Sequence, residues 1–385
     1  MGDGGQARAA ELSIPGGLAV DKSTGDVYIV DELNSCVRMV SKSGIITTVA
    51  GIGGSTGFRG DDGPATSSLL HFPSGVSLNT DVGIMFISDT FNNRIRMVTK
   101  RTGTITTLAG NGAYGFSGDG GPAIAASLAS PSKTAVDPVS GNVYIADSGN
   151  SRIRMVTASN GIISTVAGNG QFGYAGDGGP AISASLGYPS GLAIETSSGN
   201  LYISDIMSNC IRMMTKSTGF ISTVAGSGAY GYSGDGGVAT AASLKSPAGI
   251  ALDAVSGDLF ISGAGSGRIR MVLKSTGIIS TVAGTGRYGY TGDGGLATNA
   301  SFAGPVGVAL DASSGIMYIA DSGNNVVRAV SRGITVSPAP STATVPAPST
   351  NMPIASGSYY PTNNSSQPYE PSSAPTKYGK SRVGS

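Results

Sequence analysis

A six-fold repeat constrains this chain more than any other feature. A Gly-Asp-(Gly/Asp)-Gly motif recurs every 58 residues without an insertion or deletion. A fixed period marks a repeat architecture, because each unit exposes an apolar face that only its neighbour can cover. We therefore expect residues 1–336 to form one cooperative body rather than two or three domains. The acidic residues of the motif are Asp3, Asp61, Asp119, Asp177, Asp235 and Asp293.

Each repeat predicts four short strands. In the third copy these are Lys133–Asp137, Val143–Asp147, Arg152–Val156 and Ile162–Val166, separated by residues that favour turns. Four antiparallel strands per unit are typical of a propeller blade. The predicted fold is therefore all-β, a six-bladed β-propeller of four-stranded antiparallel blades. One aromatic residue of each second strand is expected to fill the gap between blades: Tyr28, Phe86, Tyr144, Tyr202, Phe260 and Tyr318.

The repeat resembles the NHL repeat family. Segments Gly141–Ile153 and Pro305–Asp311 match the family pattern almost residue for residue, and the resemblance extends over about 336 residues. NHL domains form six-bladed propellers, so the resemblance implies the blade number that the repeat count also predicts. The long glycine-rich linkers are similar to those of many bacterial and protist NHL proteins and of the teneurin NHL propeller.

The two ends of the repeat region raise separate expectations. The sixth copy ends in a short fourth strand, Gly333–Val336, and no spare strand precedes the first copy. We therefore expect a loosely latched seam between blades six and one. Residues 337–385 hold nine of the 19 prolines and few large aliphatic residues. This composition predicts a Pro/Ser/Thr-rich disordered tail.

Charge and hydropathy exclude some classes of partner. The 24 Lys and Arg residues are balanced by 23 Asp and Glu residues. Because nucleic-acid binding requires a basic face, no nucleic-acid partner is expected. No apolar run is long enough for a membrane span, and the N-terminus does not read as a signal peptide. The chain begins inside the repeat motif, which suggests a segment of something longer. An extracellular location would follow if a leader precedes it.

Neither cysteines nor histidine indicate a reactive site. Cys36 and Cys210 lie three periods apart, on opposite sides of a six-membered ring. They are therefore too distant for a disulfide, and both are predicted to be free thiols. The sole histidine, His71, lies in a variable loop, so neither a multi-histidine metal site nor a Ser-His-Asp triad is expected. We expect no catalytic residues, no metal ligands and no cofactor.

The repeated charged residues have two interpretations. The Gly-Asp-Gly-Gly carboxylates are calcium-ligand types, but they are better explained as acceptors of backbone N–H groups in their own turns. The Asp that ends the second strand and the second Arg of the third strand are expected to form ion pairs in each blade. Copy five has Gly263 instead, which would leave Arg270 without its counterpart.

Departures from the repeat are the candidate binding residues. Lys133 replaces a glycine found in the other copies and is predicted to project near the channel mouth, close to Glu195 and Asn79. The alternative is neutral drift at a solvent-facing turn. Linker aromatics suit recognition because they supply contact area at low entropy cost, or else they pack between blades. They are Tyr114, Phe172, Tyr230 and Tyr288.

Three N-glycosylation sequons begin at Asn299, Asn363 and Asn364. They would matter only in a secreted protein.

Two hypotheses for function follow. The first is a non-enzymatic propeller that acts as a protein- or glycan-interaction scaffold, with loops on a rigid ring as the binding surface. The alternative is a lactonase-like propeller hydrolase or lyase with a metal site at the central channel. Near-perfect six-fold repetition favours the first, because catalysis needs one asymmetric constellation.

Overall fold

The computed structural model describes residues 2–331 and, as backbone only, residues 335–338. Within them the chain forms six antiparallel sheets, each with its strands in sequential order from first to fourth. The first strand of every blade contacts the first strand of the next, and the first strand of blade six contacts that of blade one. The predicted six-bladed β-propeller is thus confirmed.

The strand bounds repeat closely from blade to blade. The first, innermost strands are Pro15–Val20, Gly75–Asn79, Pro131–Val136, Pro189–Ile194, Pro247–Leu252 and Pro305–Asp311. The second strands are Val27–Asp31, Ile84–Asp89, Val143–Asp147, Leu201–Asp205, Leu259–Gly263 and Ile316–Asp321. The third strands are Cys36–Val40, Arg94–Thr99, Arg152–Val156, Cys210–Met214, Arg268–Val272 and Val326–Ser331. The fourth, outermost strands are Ile46–Ala50, Thr104–Ala109, Ile163–Ala167, Ile221–Ala225, Ile279–Ala283 and Thr335–Pro338.

Short 3-10 turns lie between these strands. One lies near the N-terminus, at Ala7–Ala9. Five lie in the linkers between blades: Ala65–Ser67, Ala123–Ala125, Ala181–Ser183, Ala239–Ala241 and Ala297–Asn299. Three more follow the second strand: Thr90–Asn92, Ser148–Asn150 and Ser322–Asn324. The two-residue strand Gly63–Pro64 pairs with the outermost strand of blade two and gives that sheet a fifth strand.

The hydrophobic core lies between blades. Tyr144 of the second strand is 5% exposed and shares a cluster with Leu192 and Leu201 of the next blade. Its counterparts Tyr28, Phe86 and Tyr202 are also buried, whereas Phe260 and Tyr318 are half-buried. The predicted role of these aromatics is therefore confirmed for blades one to four.

Each third-strand arginine is buried beside an acid of the linker. Arg154 is 0% exposed, and its Nη2 lies 2.7 Å from Asp119 Oδ1 while Nη1 lies 3.4 Å from Asp147 Oδ2. Asp119 also accepts a hydrogen bond from the hydroxyl of Thr165 in the fourth strand at 2.7 Å. The expectation that the motif Asp is held by N–H groups of its own turn was wrong. The linker runs along the outer edge of the following blade, so its carboxylate faces that blade's arginine and threonine.

Blade five keeps an acidic partner for its arginine. Arg270 Nη2 lies 2.5 Å from Asp235 Oδ1, and its Nη1 donates to the Ser243 carbonyl at 3.0 Å. The sequence predicted that Gly263 leaves Arg270 without the second-strand acid of the other blades. The structure adds an acid that this prediction did not include, because the linker brings Asp235 to Arg270.

The sixth blade completes itself. Thr335–Pro338 pairs antiparallel with Val326–Ser331, so the last blade has its own fourth strand. This strand extends two residues beyond the predicted end of the propeller at residue 336; the rest of the predicted tail lies outside the described residues.

At the seam between blades six and one, a turn of blade six is hydrogen-bonded to blade one. The Ile14 N–H donates to Asn325 Oδ1 at 2.8 Å, and the Ser322 hydroxyl donates to the Pro15 carbonyl at 2.5 Å.

At the seam between blades three and four, Ser148 donates to the Pro189 carbonyl at the same distance, 2.5 Å. The expected weak latch is therefore not observed, because this seam has the same turn hydroxyl contact as the seam between blades three and four.

Candidate functional site

The ring has two faces with different chemistry. We call the face that carries the linkers and the turns between second and third strands the upper face. The lower face carries the turns between first and second strands and between third and fourth strands. First strands run from the upper to the lower face, so their opening residues lie at the upper end of the channel.

Lys133 bridges the upper end of the channel. Its Nζ donates to the Val306 carbonyl, three blades away, at 3.0 Å. Burial lowers the pKa of Lys133 to about 8, although the nearby Glu32 opposes the shift. Most other blades require glycine here: a Cβ on Gly249 would lie 2.5 Å from the Val306 carbonyl oxygen. Lys133 thus lies at the upper end of the channel and reaches the first strand of blade six.

Glu32 and Tyr188 join Lys133 at this end. The Glu32 carboxylate lies against Gly16 at the inner edge of blade one. Burial raises the pKa of Glu32 to about 7, and Lys133 limits the rise. Burial likewise raises the pKa of Tyr188 to about 12, with smaller contributions from Tyr114 and Glu32. Blades one, three and four thus each contribute one titratable group, and the other blades lack an equivalent set.

The structure does not bring Glu195 and Asn79 to Lys133. Asn79 ends the first strand of blade two, and Glu195 follows the first strand of blade four, so both lie at the lower face. Asp137, the counterpart of Asn79 and Glu195 in blade three, lies four residues beyond Lys133, a rise of roughly 13 Å along the strand. The sequence shows that Lys133 lies near the start of its strand and that Glu195 and Asn79 lie at the end of theirs. Only the strand direction in the folded ring shows that these ends lie at opposite faces.

The lower-face acids tie neighbouring blades together. Asp137 Oδ2 lies 2.8 Å from Lys216 Nζ of the next blade. Asp21 pairs in the same way with Lys100, and Glu195 with Lys274.

A cavity of about 370 Å³ opens on the lower face at blades four to six. Ile194, Leu252 and Leu310 form part of its apolar lining, and Glu195 and Lys274 lie at its polar edge. Sequence reasoning did not predict this cavity, because its walls come from four repeats, Lys22 of blade one among them.

The four linker aromatics lie on the upper face and remain open to solvent. Tyr114 is 59% exposed, Phe172 52%, Tyr230 67% and Tyr288 65%. Their contacts are light: the Tyr288 hydroxyl donates to the Ala264 carbonyl at 3.2 Å, and Lys245 Nζ lies 5.1 Å from the Tyr230 ring centroid.

A second linker aromatic, two residues further on, has the packing role. The Phe116 ring lies 3.8 Å from the guanidinium carbon of Arg152 and 4.8 Å from that of Arg154. Phe58 and Tyr232 stack on arginines in the same way. Since one aromatic of each linker already covers the arginines, the first is available for contact with a partner.

Sequence reasoning missed three apolar residues of the upper face. Leu33 is 40% exposed, Phe91 53% and Met207 37%, each at the same position of its repeat. Blades three, five and six carry glycine there: Gly149, Gly265 and Gly323. Comparing the copies position by position would have found them, because no other turn position alternates between large apolar residues and glycine. The upper face is therefore asymmetric although the scaffold is not.

His71 belongs to the same surface. Its ring centroid lies 5.1 Å from that of Phe72 and 5.4 Å from that of Phe91. Burial lowers its pKa, which favours the neutral ring. His71 is thus a member of an aromatic cluster on blade two.

The remaining predictions concern the glycosylation sequons, the two cysteines, metal binding and membrane spans. Asn299 is exposed at the end of its 3-10 turn, whereas Asn363 and Asn364 lie outside the described residues. Cys36 and Cys210 are buried free thiols, as predicted. Over residues 2–331, no group of three or more His, Cys, Asp or Glu side chains is arranged to hold a metal ion. No helix in the described part of the chain could cross a membrane.

The fold and the ring of repeated turns define a class, the six-bladed β-propellers. Family comparison narrows this class: the model of the teneurin NHL domain matches residues 1–59, and that of the NHL repeat matches residues 128–154. These two segments are thus similar to NHL repeats, and the resemblance drawn from the sequence is confirmed.

Curated relatives have the same repeats within longer chains. Protein SUPPRESSOR OF QUENCHING 1, chloroplastic, of Arabidopsis thaliana is 27% identical over 82% of this chain and 30% of its own length. Human NHL repeat-containing protein 2 is 24% identical over 82% of this chain and 46% of its own. Human teneurin-4 is 32% identical over 58% of this chain and 8% of its own. The chain spans less than half the length of these relatives.

Solved structures share the fold at low identity. A Bacteroides thetaiotaomicron protein of unknown function aligns with a TM-score of 0.62 and 20% identity, over 86% of this chain and 72% of that chain. A chain of the nidogen/laminin complex aligns with a TM-score of 0.54 and 14% identity, over 80% and 89%. A streptogramin B lyase aligns with a TM-score of 0.51 and 15% identity, over 87% and 85%. The fold therefore occurs in enzymes and in a protein–protein complex, and these likenesses establish the fold alone.

Proposed function

We propose that this chain is a non-enzymatic interaction scaffold whose upper face binds a protein or glycan partner. The observation that carries the proposal is the asymmetry of that face. Leu33, Phe91 and Met207 expose apolar side chains on blades one, two and four, while the scaffold beneath repeats six-fold. A ring that needed only stability would have no reason to expose these residues, because burial or replacement by glycine is available at the same position.

The linker aromatics extend the surface. Tyr114, Phe172, Tyr230 and Tyr288 are each more than half exposed. Tyrosine and phenylalanine at a surface supply large contact areas with few rotatable bonds, as in protein and glycan recognition. The apolar side chains beside them favour a protein over a glycan, since glycan sites depend on polar groups as well as on stacking.

The test compares two faces of one molecule. An upper-face variant, Phe91→Ser with Met207→Ser, is paired with a lower-face control, Val139→Ser with Val255→Ser. Val139 is 84% exposed and Val255 87% exposed, so the control removes as much exposed apolar surface from the opposite side. Crosslinking mass spectrometry and glycan arrays of the wild type identify a partner, and its affinity for both variants is then measured.

The expected result is a loss of at least about tenfold in affinity for the upper-face variant, which corresponds to about 1.4 kcal/mol. The lower-face control should bind like the wild type. Equal loss in both variants, or loss only in the control, would contradict the proposal.

The alternative, a channel-centred hydrolase or lyase, is favoured by one observation. Lys133 and Glu32 lie at the channel with pKa values of about 8 and about 7, and shifted groups of this kind cluster at active sites. A metal at the channel would stabilise the fold by mass action, so millimolar calcium should raise Tm in the wild type and less in Glu32→Gln. The scaffold proposal expects no such shift.

A further inference from the structure

Blade five lacks a carboxylate that every other blade has. In those five blades the Asp that ends the second strand accepts a backbone N–H, 18 residues earlier, at 2.7 Å through Oδ1. In blades one, two, three and six its Oδ2 also accepts from an asparagine side chain and from the third-strand arginine. Blade five has Gly263 at this position.

The donors around the missing carboxylate remain. The Lys245 N–H stands where the other blades have the N–H that donates to the Asp, and it has lost that acceptor. Among the described residues Arg270, which is 3% exposed, pairs with one acid, Asp235, whereas Arg38, Arg96, Arg154 and Arg328 each pair with two. Ser266 replaces the asparagine and donates to the Gly263 carbonyl at 3.1 Å.

These groups surround a small cavity. Its volume is about 10 Å³, and its lining includes Gly263, Lys245, Ser266 and Arg270. A cavity of this size holds one species about as large as a water molecule. An N–H group, a hydroxyl and a guanidinium favour a negatively charged occupant over a neutral or cationic one.

We propose that this cavity binds one monatomic anion, such as chloride, in the place of the missing aspartate carboxylate. The Lys245 N–H and the Arg270 guanidinium are its donors. Ser266 completes the site by turning its hydroxyl from the Gly263 carbonyl towards the anion. The site is independent of the upper-face binding proposal, since it lies within blade five and does not depend on a partner.

The first test uses thermal unfolding of the full chain. Tm is measured in sodium chloride and in sodium gluconate at equal ionic strength, because gluconate is too large for the cavity. We expect Tm to be about 2 °C higher in chloride, since an anion bound only by the folded state stabilises it.

Matched variants separate the site from general salt effects. Gly263→Asp with Ser266→Asn recreates the Asp and Asn pair of blades one, two, three and six, and it should abolish the difference between anions. Asp89→Gly with Asn92→Ser creates the blade-five arrangement in blade two and should enlarge the difference. An equal Tm in chloride and gluconate for the wild type, or a difference that persists in Gly263→Asp with Ser266→Asn, would overturn the proposal.

A second measurement does not depend on the variants folding. Crystals of the wild-type chain soaked in bromide should show an anomalous peak between Arg270 and the Lys245 N–H, with no equivalent peak beside Arg154. Density for a water molecule without an anomalous signal in this cavity would also reject the site.

Discussion

At the residue scale, one buried arginine per blade connects the linker to the sheet. Arg154 is held between Asp119, which is partly exposed, and Asp147, which is 0% exposed. A buried charge is tolerated only while its partners remain, so the two acids and the arginine stabilise the fold as a set. The structural role of this set explains why these charged residues recur along the chain.

Blade five allows the cost of an orphaned acid to be measured. Arg154→Met should lower the free energy of unfolding by about 3–5 kcal/mol, because it leaves the buried Asp147 unpaired. Arg270→Met removes the same cation in a blade without that acid and should cost less, since Asp235 is 32% exposed and can be hydrated. Urea unfolding followed by circular dichroism gives both values. Equal losses would show that packing of the arginine stem, rather than charge, dominates.

At the scale of the blade, neighbouring sheets are joined by apolar packing and by lower-face ion pairs. Tyr144 fills the gap between blades three and four, and the Asp137–Lys216 pair spans the same gap at its lower end. Blades one and two have the corresponding Asp21–Lys100 pair. Each pair closes the edge of an apolar interface, so its acid is nearly buried while its lysine is partly hydrated.

The Asp21–Lys100 pair predicts a pH dependence. Burial alone would raise the pKa of Asp21, but hydrogen bonds from Lys100 and Ser23 outweigh it and hold the pKa at about 2. Because the folded pKa lies below the unfolded value, the carboxylate stabilises the fold above about pH 4, and this stability is lost as pH falls towards 2. Asp21→Asn should therefore cost about 2 kcal/mol at pH 7 and clearly less at pH 3. Urea unfolding of both proteins at the two pH values measures the difference; a constant cost would contradict the pKa assignment.

At the scale of the whole molecule, the ring closes with a complete sixth blade. Thr335–Pro338 supplies its fourth strand, and Asn325 and Ser322 bond blade six to blade one as their counterparts do elsewhere. Closure covers the apolar sheet faces that the first and last blades of an open stack would expose. It also gives the molecule two distinct faces, on which different loops collect.

Two truncations test closure. A chain that ends at residue 331 lacks the last strand and should lose about 5 °C or more in Tm, because the edge of Val326–Ser331 is uncovered. A chain that ends at residue 338 keeps the strand and should melt like the full chain. Differential scanning calorimetry distinguishes them. Similar Tm values for both truncations would show that the last strand adds little to the ring.

The 58-residue period by itself determined the number of blades, the strands within them and the residues that pack between them. These are local or nearest-neighbour properties, and each copy repeats the pattern that specifies them. The partner of each charge was decided by the tertiary structure, because the linker brings Asp119 to an arginine 35 residues further along the chain. The tertiary structure also decides which residues share a face of the ring. Strand direction places Lys133 with Glu32 and Tyr188, and separates it from Glu195 and Asn79. Contacts across the channel join residues from blades that are not neighbours. The pattern of one repeat specifies contacts within a blade and with the next blade, so it does not predict contacts across the channel.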